Sequence, residues 1–77
     1  MKRSKSKQFT TKDYDSLENA ISRGQKIAVM RRGNEFIVVP SRLRVEGGRE
    51  AIDSVHPTTG EKITVYVDEI SGFEVVK

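Results

Sequence analysis

The chain has no cysteine and no tryptophan, and it has only two prolines, two tyrosines, three phenylalanines and one histidine. Without cysteine there can be no disulfide, no thiolate nucleophile and no Cys-ligated zinc or iron–sulfur centre, which argues against a small disulfide-framed secreted scaffold. No apolar run approaches the roughly 18 residues of a membrane-spanning helix, and the basic N-terminus is not followed by the hydrophobic stretch of a signal peptide. The expected compartment is the cytoplasm. What is present fits one domain: 77 residues, 35% hydrophobic and 32% charged. At this size, apolar burial at roughly 25 cal/mol per Å² barely exceeds the cost of ordering the chain, so a partner or a second copy would add usefully to stability.

The formal net charge is +3, but it is unevenly distributed. Residues 1–12 contain Lys2, Arg3, Lys5, Lys7 and Lys12 and no acid, whereas residues 13–77 hold nine Lys or Arg against eleven Asp or Glu, a net of −2. Apart from Met1 and Phe9 the first stretch is polar. It is expected to be a flexible basic tail over residues 1–12, followed by a single slightly acidic domain over residues 13–77. Such a tail attracts phosphate backbones or anionic surfaces with strong salt dependence and little sequence specificity.

The spacing of Asp15 and Glu18 suggests a capping box, with Leu17, Ala20 and Ile21 on the apolar face of a short helix that Gly24 ends. Beyond Gly24 the pattern turns to alternation and β-branched residues. It predicts strands over Lys26 to Arg31, Glu35 to Val39, Arg49 to His56, Glu61 to Val67 and Phe73 to Val76. Arg32-Gly33-Asn34 reads as a tight turn, Gly47-Gly48 and Pro57-Thr58-Thr59-Gly60 as two more, and Asp68-Glu69-Ile70 as a single helical turn. Pro40 cannot donate to a ladder, so it is expected at a bulge, a bend or an unpaired edge, after which Leu43 and Val45 are expected to point inward and Arg42 and Arg44 outward. One N-terminal helix and five short antiparallel strands predict a mainly β fold. The expected architecture is a small SH3-like or Sm-like barrel, closed because closure removes exposed strand edges. Its expected core is Leu17, Ile21, Ile27, Val29, Phe36, Val38, Leu43, Ile52, Val65, Val67, Ile70 and Val75.

The stretch from Leu17 to Val76 resembles the WYL domain, an Sm-like barrel found in bacterial regulators beside DNA-binding helix-turn-helix units. The likeness is carried by the helix leading into Lys26-Ile27-Ala28-Val29, by Val39-Pro40-Ser41-Arg42-Leu43, by Gly47-Gly48 before a strand, and by Val67-Asp68-Glu69-Ile70. It implies the barrel and a regulatory role. Glu50-Ala51-Ile52, however, stands where the family has Trp-Tyr-Leu, and Ile63 and Glu69 stand where arginines that contact a nucleotide or nucleic acid are expected. The matches fall at bends and core positions and the departures at ligand positions, so the resemblance carries the fold further than the function. Ile70-Ser71-Gly72-Phe73-Glu74-Val75 also resembles the second motif of Sm-like RNA-binding proteins, without a matching first motif.

No catalytic constellation emerges. His56 is a poor basis for a metal site without cysteine partners. Asp53, Ser54 and His56 cannot form a nucleophile–base–orienter chain, because neighbours on one strand alternate faces. Asp68 and Glu69 read as capping or solvated carboxylates, and Gly47-Gly48 lacks the spacing of a phosphate-binding loop. Neither enzyme activity nor a cofactor is expected. The more informative set is Arg31, Arg32, Arg42, Arg44 and Arg49, whose planar guanidiniums suit phosphate. Glu35, Glu46 and Glu50 lie close enough in the pattern to neutralise them as a salt-bridged face. One outward tyrosine, Tyr66, is a candidate for base stacking. The leading expectation is a non-enzymatic binding or regulatory module taking nucleic acid or a nucleotide-like anion through Lys2, Arg3, Lys5, Lys7, Arg31, Arg32, Arg42 and Arg44. The rival expectation is a protein-interaction module that docks through an exposed strand or the helix face, or that forms a homo-oligomer.

Overall fold

The computed structural model describes residues 9–76. Its order is helix α1 (Thr11–Arg23), strands β1 (Ile27–Arg31), β2 (Asn34–Glu46), β3 (Arg49–Val55) and β4 (Lys62–Tyr66), a 3₁₀ turn (Val67–Glu69) and β5 (Gly72–Val75). The mainly β class with one N-terminal helix is as the sequence predicts.

The helix begins earlier than the Asp15 spacing suggests. Thr10 is the N-cap: its Oγ1 accepts from the Asp13 amide, and the Asp13 carboxylate accepts from the Thr10 amide, both at 3.1 Å. This satisfies two of the amides a helix start leaves unpaired. Gly24 closes the helix at φ 66°, the left-handed conformation that a residue without Cβ adopts cheaply. The expected division between residues 12 and 13 therefore falls inside α1. Ordered packing reaches back to Phe9, whose ring meets Tyr14 at 5.2 Å and Phe73 at 5.1 Å between centroids. Lys2, Arg3, Lys5 and Lys7 lie outside the described residues.

All strand pairs are antiparallel, in the order β4-β3-β2-β1-β5. The expected closed barrel is not formed: among the described residues no ladder joins β4 to β5, and the sheet is open. Helix α1 lies against β2 and β5 and sinks Leu17 and Ala20, both fully buried, into the core. The 3₁₀ turn meanwhile carries the chain from one edge strand to the other. Strand β2, at 13 residues, serves both halves of the sheet. It does so through a register shift between Pro40 and Arg42, the bulge that Pro40 signals.

The shift changes which residues face the core, from even positions (Phe36, Val38, Pro40) to odd ones (Leu43). Leu17, Ala20, Ile27, Val29, Val38, Ile52, Val65, Val67 and Ile70 form the buried cluster, with Phe9, Ile21, Phe36, Leu43, Ile63, Phe73 and Val75 packed around it. Val45 departs from expectation and is 69% exposed, because the β2–β3 hairpin tip projects past the core. The first hairpin also differs in detail. Arg31 pairs with Asn34, so Asn34 opens β2 and the two turn residues are Arg32 at φ 53° and Gly33 at φ 79°. Arg32 thus holds a left-handed conformation that L residues adopt at a cost.

Candidate functional site

The outer face of β2, β3 and β4 is built by cross-strand register. Arg42 faces Asp53, Arg44 faces Ala51, and Glu46 faces Arg49, while Thr64 and Tyr66 continue the same rows on β4. Arg42 Nε donates to Asp53 Oδ2 at 3.3 Å, and Arg44 Nε donates to the two Asp53 oxygens at 3.0 and 2.9 Å. Arg44 Nη1 reaches Glu46 Oε1 at 3.1 Å, and that oxygen also accepts from the Tyr66 hydroxyl at 3.3 Å. The Arg49 guanidinium lies over the Tyr66 ring, 4.0 Å from its centroid. It binds Asp68 through Nε and Nη2 at 3.0 and 2.9 Å and Glu69 through Nη2 at 3.2 Å. Glu69 in turn meets Arg31 at 3.5 Å, and Arg31 lies 5.2 Å from the centroid of Phe36.

These contacts make one continuous chain, Arg42–Asp53–Arg44–Glu46–Tyr66–Arg49–Asp68/Glu69–Arg31. Four guanidiniums meet four carboxylates. The paired groups titrate accordingly: the hydrogen bond to Arg44 is the main cause that holds Asp53 below its ordinary value, and the bond to Arg49 does the same for Asp68. Arg44 is pushed up chiefly by Asp53 and Arg49 chiefly by Asp68. Of the arginines expected to take an anion, Arg31, Arg42 and Arg44 are therefore already matched to carboxylates. Arg32, exposed at the β1–β2 turn, takes part in no ion pair among the described residues. The open face of Tyr66 is occupied by Arg49 rather than left for a base.

The groups weighed for catalysis lie apart. Asp53 belongs to the outer network, whereas Ser54 is buried on the core side and donates at 3.5 Å to the Ile52 carbonyl. His56 is used locally, its Nδ1 accepting the Thr58 and Thr59 amides at 3.1 and 3.3 Å. Among the described residues no group of three or more His, Asp or Glu is placed to hold a metal ion, and no helix is long and apolar enough to cross a membrane.

Two features escape the pattern reading. One is a cleft of about 250 Å³ between the start of α1 and the β2–β3 turn, lined by Phe9, Tyr14, Arg49, Glu50 and Asp68 among others. Within it the Tyr14 hydroxyl donates to Glu50, a bond that, with partial burial and the Glu50 charge, pushes the phenol up to about 12. The polar side chains of the cleft thus largely answer one another.

The other feature is the outer face of β5, β1 and β2. Met30, Ile37 and Val76, each more than a third exposed, are three of the four large exposed apolar side chains among the described residues. Alternation puts all three on the outer side, opposite the buried Ile27, Val29, Val38 and the core-packed Val75. Ala28, 8% exposed, lies at their centre, with half-buried Val39 and Val55 alongside. The sequence signal for this face is the pair of unbroken apolar runs Ile27-Ala28-Val29-Met30 and Phe36-Ile37-Val38-Val39, which alternation alone does not explain. No family model matches the chain, and no curated protein matches it either.

Proposed function

We propose that the protein is a non-enzymatic binding module that works by protein contact through the outer face of β5, β1 and β2. The observation that carries this is that three of the four large exposed apolar side chains among the described residues, Met30, Ile37 and Val76, share one face with Ala28, the kind of clustering that marks interaction sites. The opposite candidates are weaker docking surfaces. The outward side of α1 is polar, with Asp15, Glu18, Asn19, Ser22 and Arg23 exposed, and the arginine face is balanced by its own carboxylates. Immobilised full-length protein is expected to retain a protein partner from lysate that immobilised Ile37→Asp does not retain, with nuclease treatment leaving capture unchanged. Equal capture together with equal self-association of the two proteins, or capture abolished by nuclease, would refute it.

A second reading, binding of nucleic acid or a nucleotide-like anion, is favoured by the segregation of charge. The excess of Lys and Arg sits in residues 1–12, and Arg32 joins no described ion pair. The resemblance of Val39-Pro40-Ser41-Arg42-Leu43 to the WYL domain supports a regulatory setting for either reading. In the second, the stretch with Lys2, Arg3, Lys5 and Lys7 supplies the attraction, and Arg32 and Arg42 are the exposed contacts.

A further inference from the structure

The apolar outer face has a definite layout, fixed by register. Across β5, β1 and β2 the first row is Gly72, Met30 and Glu35, and the second is Glu74, Ala28 and Ile37. Alternation extends this to a third row of Val76, Lys26 and Val39, in which the Val76 amide donates to the Lys26 carbonyl at 2.9 Å. Strands lie about 4.8 Å apart and same-face residues about 6.7 Å apart along a strand. Around Ala28 the face therefore carries Met30 and Ile37 on two adjacent sides and Lys26 and Glu74 on the other two.

That layout is self-complementary. Place a second copy face to face about a two-fold axis running diagonally from Val76 to Glu35. Each Met30 then lies over the partner copy's Ile37, each Lys26 over the partner copy's Glu74, and Ala28, Val76 and Glu35, all on the axis, over themselves. The two sheets cross at near right angles, one of the two arrangements in which sheets pack. The small Ala28 at the centre lets the backbones approach, while Glu35, on the axis at the rim opposite Val76, lies over the partner copy's Glu35 and is the one like-charge meeting in this layout. Neither Lys26 nor Glu74 takes part in an ion pair within the described residues, so both are available across such an interface. Two strands apolar on both sides, in a chain whose own core is small, are the expected mark of a sheet covered twice.

Resting on the protein-contact reading above, we propose that the partner of this face is a second copy of the chain, in an isologous dimer held by Met30–Ile37 packing and two Lys26–Glu74 pairs. The test uses the charge symmetry. In full-length Lys26→Glu, both interfacial pairs become carboxylate against carboxylate; in full-length Glu74→Lys, both become ammonium against ammonium. Mixed in equal amounts, the two variants regain both pairs.

Sedimentation equilibrium should show wild-type dimers, a monomer for each variant alone, and a heterodimer in the mixture at least about tenfold tighter than either variant with itself. Far-UV circular dichroism on each variant separates loss of association from loss of fold, and restoration by mixing cannot come from a misfolded chain. A monomeric wild type at its highest soluble concentration would overturn the inference, as would a dimer that the two variants leave unchanged or that mixing fails to restore. Any of these three results leaves the protein-contact reading standing if Ile37→Asp still loses a different captured protein, and removes both if it does not.

Discussion

Tyr14 joins the helix to the sheet through one hydrogen bond to Glu50, and that bond fixes the direction of a pH effect. The phenol donates only while protonated, and an ionised phenolate would face the Glu50 charge, so the folded chain holds Tyr14 up at about 12. In the unfolded chain it ionises near its ordinary value of about 10. The contribution to stability is therefore complete below about pH 10 and is lost as pH rises from there towards about 12. Denaturant midpoints should fall more steeply across that window in wild type than in Tyr14→Phe. In the Tyr66→Phe variant, where Tyr14 is the remaining phenol, absorbance at the phenolate band should titrate near 12. A midpoint at the ordinary value would mean that the Glu50 bond does not persist. Tyr14 stands three residues before Leu17, so the sequence itself shows it on the apolar period of the helix. Its partner is not visible there, because Glu50 is 36 residues away and nothing local announces the meeting.

At the level of the elements, the sequence was most legible where chain chemistry acts over a few residues. Gly24 stops α1, Pro40 marks the bulge, and the apolar positions on either side of that bulge change from even to odd numbers, which is how a two-against-one step in a ladder looks in one dimension. The helix start was misplaced for the same local reason. Asp15 and Glu18 have the right spacing for a capping box, but so do Thr10 and Asp13, and Phe9 decides between them by packing against Phe73 from the far end of the chain. The choice can be checked by mutation. Thr10→Ala removes the acceptor for the Asp13 amide and should lower stability by about 1 kcal/mol, whereas Asp15→Ala, inside the helix and exposed, should change it by less than about 0.5 kcal/mol. Paired chemical denaturation curves read both. The sequence points to a closed barrel because exposed sheet edges are a liability. In the structure the 3₁₀ turn links the two edge strands and α1 packs against β2 and β5, tertiary contacts that strand spacing does not encode.

For the molecule as a whole, the basic excess lies outside the residues the structure describes. Residues 9–76 contain nine Lys or Arg and eleven Asp or Glu, and their guanidiniums on the outer sheet face are largely matched to carboxylates. Residues 1–8 contain four Lys or Arg and no acid. Removing residues 2–8 while keeping Met1, Phe9 and the Thr10 cap takes away that charge and should leave the thermal midpoint nearly unchanged. If nucleic acid is a ligand, the truncated protein should lose most of its affinity for short oligonucleotides at low salt, and the remaining affinity should vary little with ionic strength, since each lost phosphate contact removes a released counterion. Affinity and salt slope equal to those of the intact chain would assign any binding to Arg32 and the sheet. Cutting instead at the division the composition suggests, after residue 12, removes Phe9 and the Thr10 side chain with the charge. A loss of binding there would mix unfolding with electrostatics, so the cut before Phe9 is the one that separates them.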